Sequence, residues 1–207
     1  PKHRTLIHLT PLHLTDLNPV TTAMIFAAGL GTRFQPWTQS HPKALALVNG
    51  RSLLQRNVEY LQNYGIKRVI VNVHHFADQI IQAVEKNHGW GSEILFSHEK
   101  EQLLETGGGL WNARTLLEEQ SRFVILNVDI LTNLDLHRLI DFHLAHHCLI
   151  SLATMQRKSS RQLLRDAHHR LAGWENKATG EIRIAQPAGN SQGTGLQAVA
   201  YSGIAVI

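Results

Sequence analysis

From Met24 to Met155 the chain alternates short apolar runs, rich in β-branched residues, with segments of helical period, and no other feature limits its fold as tightly. Met24–Ala28 reads as a buried strand that runs into a glycine loop. Ser52 and Gln55 have the spacing of a capping box, Leu53, Leu54, Val58 and Leu61 fall on one helical face, and Gly65 supplies the stop. Arg68–Val73 has the composition of a strand covered on both faces. A helix over 77–87 ending near Gly89, a strand over 94–97 and a glycine-rich turn at Gly107–Gly109 that opens another helix continue the pattern. Phe123–Asn127, Leu136–His146 and Leu149–Met155 then read as strand, helix and strand. This alternation predicts an α/β fold with a mostly parallel sheet, helices on both faces and ligands at the carboxyl ends of the strands. Beyond Met155 the pattern changes. Leu163–Trp174 and Ile182–Ile184 read as antiparallel pieces joined by turns at 166–169 and at Thr179-Gly180, a small lid or side sheet.

With 207 residues and 43% apolar content, the chain is long enough for one substantial core. Residues 1–23 have no clean period and read as an irregular extension, which places the start of the domain at Met24 and its extent over 24–207. The apolar run Ala198–Ile207 carries no polar cap, so the natural domain is expected to continue past it. The net charge of +4 comes from scattered Lys and Arg without a basic block, which points to a small anionic ligand and not to nucleic acid. Cys148 is the only cysteine, so an intramolecular disulfide and a Cys-based zinc cluster are excluded, and a cytoplasmic protein without a membrane span is expected.

The chemistry concentrates at the end of the first strand. In Ala27-Ala28-Gly29-Leu30-Gly31-Thr32-Arg33 the glycines free backbone N–H groups to surround a phosphate. A dinucleotide fingerprint would need a small residue where Phe34 stands and a helix at once, whereas Pro36 and Pro42 make the following segment an extended loop. A Walker loop is excluded because no Gly-Lys-Ser/Thr follows. Instead Arg33 is followed, ten residues later, by Lys43 after Pro42, two cations able to face one triphosphate. Glu105-Thr106-Gly107-Gly108-Gly109 and Asp129 follow further along, Asp129 directly after a strand.

Taken together, these motifs in this order resemble the sugar-1-phosphate nucleotidyltransferase family over 24–207, most of all the bacterial group with N-acetylmuramate-1-phosphate uridylyltransferases and mannose-1-phosphate guanylyltransferase relatives. The resemblance implies a Rossmann-like sheet and transfer of a nucleotidyl group from an NTP, UTP or GTP, to a sugar-1-phosphate with release of pyrophosphate. It implies that Arg33 holds the β- and γ-phosphates, that Lys43 holds the α-phosphate, and that Asp129 binds Mg2+. Ala27, Ala28, Gly29, Gly31 and Thr32 would wrap the phosphates, and Glu105, Thr106, Gly107 and Gly108 would face the base and ribose. Asn127, Gly173, Glu175, Ser202 and Gly203 match the sugar-phosphate side, although the usual Glu-Lys-Pro is missing at Glu175. Many relatives carry Gly where Val128 stands, and the second metal-binding Asp or Asn of the family has no match before Ile207.

Two alternatives stay open on these residues: a cytidylyltransferase acting on another phosphorylated acceptor, and a catalytically weak nucleotide-sugar-binding protein. Fourteen histidines invite a metal reading, above all His143 and His147 at i, i+4 spacing, but the Glu of a zinc-protease motif is absent from position 144 and a solvated helix face is expected. Oligomeric state is not legible from these patterns.

Overall fold

A computed structural model describes residues 19–99, 103–185 and 195–207. The strands are β1 (Thr22–Phe26), β2 (Leu47–Val48), β3 (Arg51–Ser52), β4 (Arg68–Val73), β5 (Glu93–His98), β6 (Val124–Asn127), β7 (Ser151–Met155), β8 (Arg161–Arg165), β9 (Leu171–Asn176), β10 (Glu181–Ile184) and β11 (Gln197–Val206). The helices are α1 (Leu53–Gln62), α2 (Ala77–Lys86), α3 (Glu105–Asn112), α4 (Arg114–Leu117) and α5 (Leu136–Ala145). All strands but the small β2–β3 pair join one nine-stranded sheet in the order β10-β9-β8-β11-β6-β1-β4-β5, with β7 also on β11. The four strands β6-β1-β4-β5 pair in parallel, and β11 and the strands beyond it pair antiparallel.

Strand alternation decides which helix each residue meets. Ala23, Ile25, Val69, Val71 and Leu126 face a core filled by α1, α2 and α5, whereas Met24, Ile70 and Ile125 face α3 and α4 through Ala113 and Leu117. α1 forms as its pattern predicts. Ser52 Oγ accepts the Gln55 backbone N–H at 3.1 Å, and Leu53, Leu54, Val58 and Leu61 are buried. Their transfer from water contributes about 6–12 kcal/mol before the cost of ordering the chain. Only half of the capping box is made, because the Gln55 side chain donates to Glu59 at 2.8 Å and not back toward Ser52.

Four expectations need correction. β1 begins at Thr22, two residues before the boundary set at Met24, because Thr22 and Ala23 already pair with Arg68 and Val69 and are fully buried. Residues 1–18 of the expected extension lie outside the described residues. Gly107–Gly109 lie inside α3 and do not form a turn ahead of it. The segment around Pro36 and Pro42 is not extended but winds into single 3-10 turns at Thr32–Phe34, Trp37–Gln39 and Lys43–Leu45. His143 is 4% exposed, its Nδ1 3.1 Å from Ser151 Oγ, while His147 lies past the end of α5, so the two do not share a solvated face.

The antiparallel strands after Met155 exist as expected, with Asp166 Oδ1 accepting the His168 and Arg170 backbone N–H groups at the first turn. They form no separate layer. Ten-residue β11 carries them into the main sheet: Gln197–Val199 pair with β8 and Ile204–Val206 with β6.

Two outcomes follow from this packing. Compared with a chain starting at Pro19, one starting at Met24 loses the Thr22 and Ala23 pairings and the Thr22–Gln120 hydrogen bond, and should lose about 2 kcal/mol, or about 4–8 °C in Tm. Equal melting temperatures would show that β1 does not need its first two residues. Burial, aided by Arg122, lowers the His143 pKa below the ordinary 6.5. Below 6.5 the unfolded chain takes up a proton that the fold resists, so stability present above that pH is lost as pH falls through the lowered value. Urea unfolding of wild type and His143→Leu at several pH values checks this, and the wild type should lose more stability than the variant as the solution is acidified.

Candidate active site

The parallel strands determine where a site can form. From β1 the chain steps to β4 and β5 on one side, then crosses back to β6 on the other, so the order reverses between β1 and β6. A crevice opens outside the carboxyl ends of strands at such a reversal. Here it is a cleft of about 270 Å³ lined by the loop after β1, the end of β6 and the first residues of α3.

The loop after β1 supplies Ala28, Gly29, Gly31, Thr32 and Arg33 to the cleft. Gly31 has φ +62°, and a Cβ there would stand 2.9 Å from Thr38 Cγ2 and 3.2 Å from Lys43 Cβ. The left-handed turn and the close crossing of the Lys43 stem therefore require glycine. Thr38, buried beneath the loop, donates its hydroxyl to the Gly31 carbonyl at 2.9 Å. Lys43 passes over Gly31 and forms a salt bridge through Nζ with Asp129 Oδ2, with the Phe34 ring 5.9 Å from Nζ. Arg33 is exposed at the cleft. The predicted phosphate cation and the predicted metal-binding carboxylate, 86 residues apart in sequence, are thus in contact.

Asp129 follows β6 beside Asn127 and Val128, which also line the cleft. Its loop is held from α1 and the turn that follows it: Asn57 Nδ2 donates to the Val128 carbonyl at 2.8 Å, and the Tyr60 and Tyr64 hydroxyls both donate to the Leu134 carbonyl, at 2.8 and 3.0 Å. Burial is the main cause of a Tyr60 pKa raised well above its ordinary value, so the phenol stays a donor.

The β1 side has its own brace. Asn72 Oδ1, near the end of β4, accepts the Ala27 N–H at 2.6 Å and the Ala28 N–H at 3.3 Å. Asn72 and the buried Glu99 are also part of the cleft wall. Neither these two nor Asn57 was anticipated. A signal existed for two of them: Asn72 interrupts the β-branched run of β4, and Asn57 stands in the i, i+4 series with Leu53 and Leu61 on the apolar face of α1. Polar groups at such positions need partners.

Of the base-facing residues, Glu105 and Thr106 line the cleft. Gly107 is exposed on α3, and Gly108 packs where a Cβ would meet Leu104 Cβ at 2.9 Å. The sugar-side set divides. Gly203, at φ +86° in the irregularity of β11, backs onto Asn127, with its Cβ position 3.3 Å from Asn127 Nδ2. Ser202 Oγ donates to the Ala153 carbonyl at 2.7 Å. Gly173 packs against the β10 backbone, and Glu175 pairs with Lys177 at 3.5 Å. Ser202, Gly203, Gly173 and Glu175 do not line the cleft between β1 and β6. Among the described residues no three His, Cys, Asp or Glu side chains converge as a metal-binding group.

Residues 22–162 match the family described as nucleotidyl transferase. The chain is 43% identical over 110 residues to N-acetylmuramate alpha-1-phosphate uridylyltransferase of Caulobacter vibrioides, covering 52% of this chain and 45% of that protein. It is 35% identical over 128 residues to the catalytic subunit beta of mannose-1-phosphate guanylyltransferase of Drosophila melanogaster, covering 61% of this chain and 34% of that protein. The matches thus span less than half the length of these relatives. HddC from Yersinia pseudotuberculosis, solved in complex with GMP-PN, superposes with a TM-score of 0.71 at 26% identity, over 91% of this chain and 76% of its own.

Gly31→Ala should destabilise the protein by about 1–2 kcal/mol, the cost of a side chain in a left-handed turn, and displace Lys43. Gly29→Ala, with nothing within 4 Å of the new Cβ, should melt close to wild type. Equal melting of the two variants would contradict the crossing of Lys43 over Gly31.

Proposed function

Because the chain belongs to the nucleotidyl transferase family, we propose that its cleft takes an NTP, UTP or GTP, and a sugar-1-phosphate and yields an NDP-sugar and pyrophosphate. The Lys43–Asp129 contact carries this reading, because it brings a cation and a carboxylate to one point beside the glycine loop. The relatives with uridylyl and guanylyl names support UTP and GTP as the donors to test first.

The attacking group is a phosphate oxygen of the sugar-1-phosphate, already ionised near neutral pH, so no general base is needed. It forms a bond to the α-phosphorus of the NTP as the bond to the bridging oxygen breaks, and pyrophosphate leaves with that electron pair. The protein has to hold two polyanions together and offset the charge that develops. Lys43 would bind the α-phosphate and Arg33 the β- and γ-phosphates, with the amides of the glycine loop at their oxygens. Glu105 and Thr106 would meet the nucleoside, and Asn127, backed by Gly203, the acceptor side.

A carboxylate at this place would repel phosphates without a cation between them. Asp129 is exposed at the cleft and suits a hard cation such as Mg2+, which takes one or two carboxylates and completes its shell with phosphates and water. The ion would supply charge neutralisation at the phosphates. We also place the protein in the cytoplasm and assign it no nucleic-acid or membrane partner. Among the described residues no helix is long and apolar enough to cross a membrane.

Pyrophosphate release from UTP or GTP, with N-acetylmuramate-1-phosphate or mannose-1-phosphate as acceptor, tests the proposal. Lys43→Ala should lower turnover by about 100-fold or more, and Asp129→Asn should raise the magnesium needed for half-maximal rate without a matching loss of Tm. A Lys43→Ala protein with normal turnover, or an unchanged magnesium dependence in Asp129→Asn, would overturn these assignments.

A further inference from the structure

We propose that Asn72 and Glu99 form a positioning pair that sets the phosphate loop and couples it to Leu104 at the start of α3. The effect on nucleotide binding rests on the proposed function, while the coupling itself stands on the hydrogen bonds.

A side-chain amide has one accepting and one donating end, and which way it points depends on its neighbours. Asn72 spans two of them. Its Oδ1 accepts the Ala27 and Ala28 N–H groups, and its Nδ2 donates to Glu99 Oε1 at 2.7 Å. A carboxylate accepts only, so Glu99 fixes the donating end toward itself and leaves the accepting end for the loop. Glu99 Oε2 in turn accepts the Leu104 N–H at 2.9 Å, immediately before α3. The chain of bonds therefore runs from the loop after β1, through Asn72 and Glu99, to the residues that present Glu105 and Thr106 to the cleft.

Asn72 and Glu99 are each 3% exposed, so a lost bond in this chain is not replaced by bulk water. The packing confirms that the space is committed: a Cβ on Gly109 would stand 2.7 Å from Glu99 Oε1 and 3.1 Å from Asn72 Nδ2. This accounts for a glycine inside α3 that helix propensity disfavours. Displacing the pair shifts both walls of the cleft together, because each wall hangs from one end of it.

The logic of donors and acceptors supplies the test. In Glu99→Gln, the new amide nitrogen must face either Leu104 N–H or Asn72. Facing Leu104 it sets donor against donor; facing Asn72 it does the same, or forces Asn72 to turn its own donor on Ala27. In Asn72→Asp, two carboxylates touch. In the double variant, the introduced carboxylate accepts from Ala27 and from the introduced amide, whose oxygen accepts from Leu104, so every bond is restored at unchanged net charge.

Amide hydrogen exchange at Ala27, Ala28 and Leu104 reads the coupling without any nucleotide. Glu99→Gln should speed exchange about tenfold at one or more of these amides, and the double variant should return it to within about threefold of wild type. In the steady state, each single variant should raise KM for MgUTP or MgGTP about tenfold with a smaller change in kcat, and the double variant should recover most of the loss. Should Asn72→Asp fail to fold, Glu99→Gln and the double variant carry the test. Unchanged exchange in Glu99→Gln, or a double variant no better than the worse single one, overturns the pair. Altered and rescued exchange in a protein whose wild type turns over no NTP would leave the pair standing and refute the proposed function instead.

Discussion

Parallel pairing of β1 with both β4 and β6 is the constraint from which the rest of the structure follows. Parallel neighbours need crossovers, so α1 and α2 cover one face of the sheet and α3 and α4 the other, and both faces of β1 are buried. Every loop that leaves these strands at their carboxyl ends is thereby delivered to one edge. The reversal of direction between β1 and β6 leaves no crossover to close the gap, and the cleft occupies it.

An edge of loops is not yet a site, because loops of this length do not hold their own shape. Three buried polar side chains provide that shape from the scaffold. Asn57 reaches from α1 to the Val128 carbonyl, and Asn72, oriented by Glu99, reaches from β4 to the amides of Ala27 and Ala28. Asn57 and Asn72 stand on regular elements packed in the core and Glu99 directly follows β5, so the two loops inherit the rigidity of the sheet. Lys43 and Asp129 then meet across the gap as the charged groups at its mouth. With Lys43 18% and Asp129 34% exposed, their pairing contributes little to stability, and both ends stay within reach of the cleft.

The antiparallel half is attached differently. β11 belongs to both halves, and its irregularity at Gly203 lets one strand pair with β8 at one end and β6 at the other. Gly203 touches Asn127 at the cleft, whereas Glu175 is engaged with Lys177 on the side sheet. The two halves of the expected acceptor side are therefore held by different strands.

Much of this was legible from sequence because it is local and periodic. The alternation of strand and helix, the Ser52 cap, the Gly65 stop and the glycine loop that shares a cleft with Lys43 and Asp129 all depend on residues near one another or on the order of motifs. The start of β1, the close approach of Gly109 to Asn72 and the burial of His143 were not legible, since each is decided by a partner distant in sequence: Arg68, Asn72 and Ser151. The same holds for the brace itself. An asparagine in a β-branched run announces that a partner is required, but hydrogen bonds over 45 residues to Ala27 and 27 residues to Glu99 exist only once the sheet has aligned β1, β4 and β5. Sequence alone determined the fold class and the inventory of glycines and charged groups that line the cleft, because periodicity and glycine chemistry act within a few residues. Tertiary structure decided which of those groups meet and what holds them there, because burial and hydrogen-bond geometry are properties of neighbours in space.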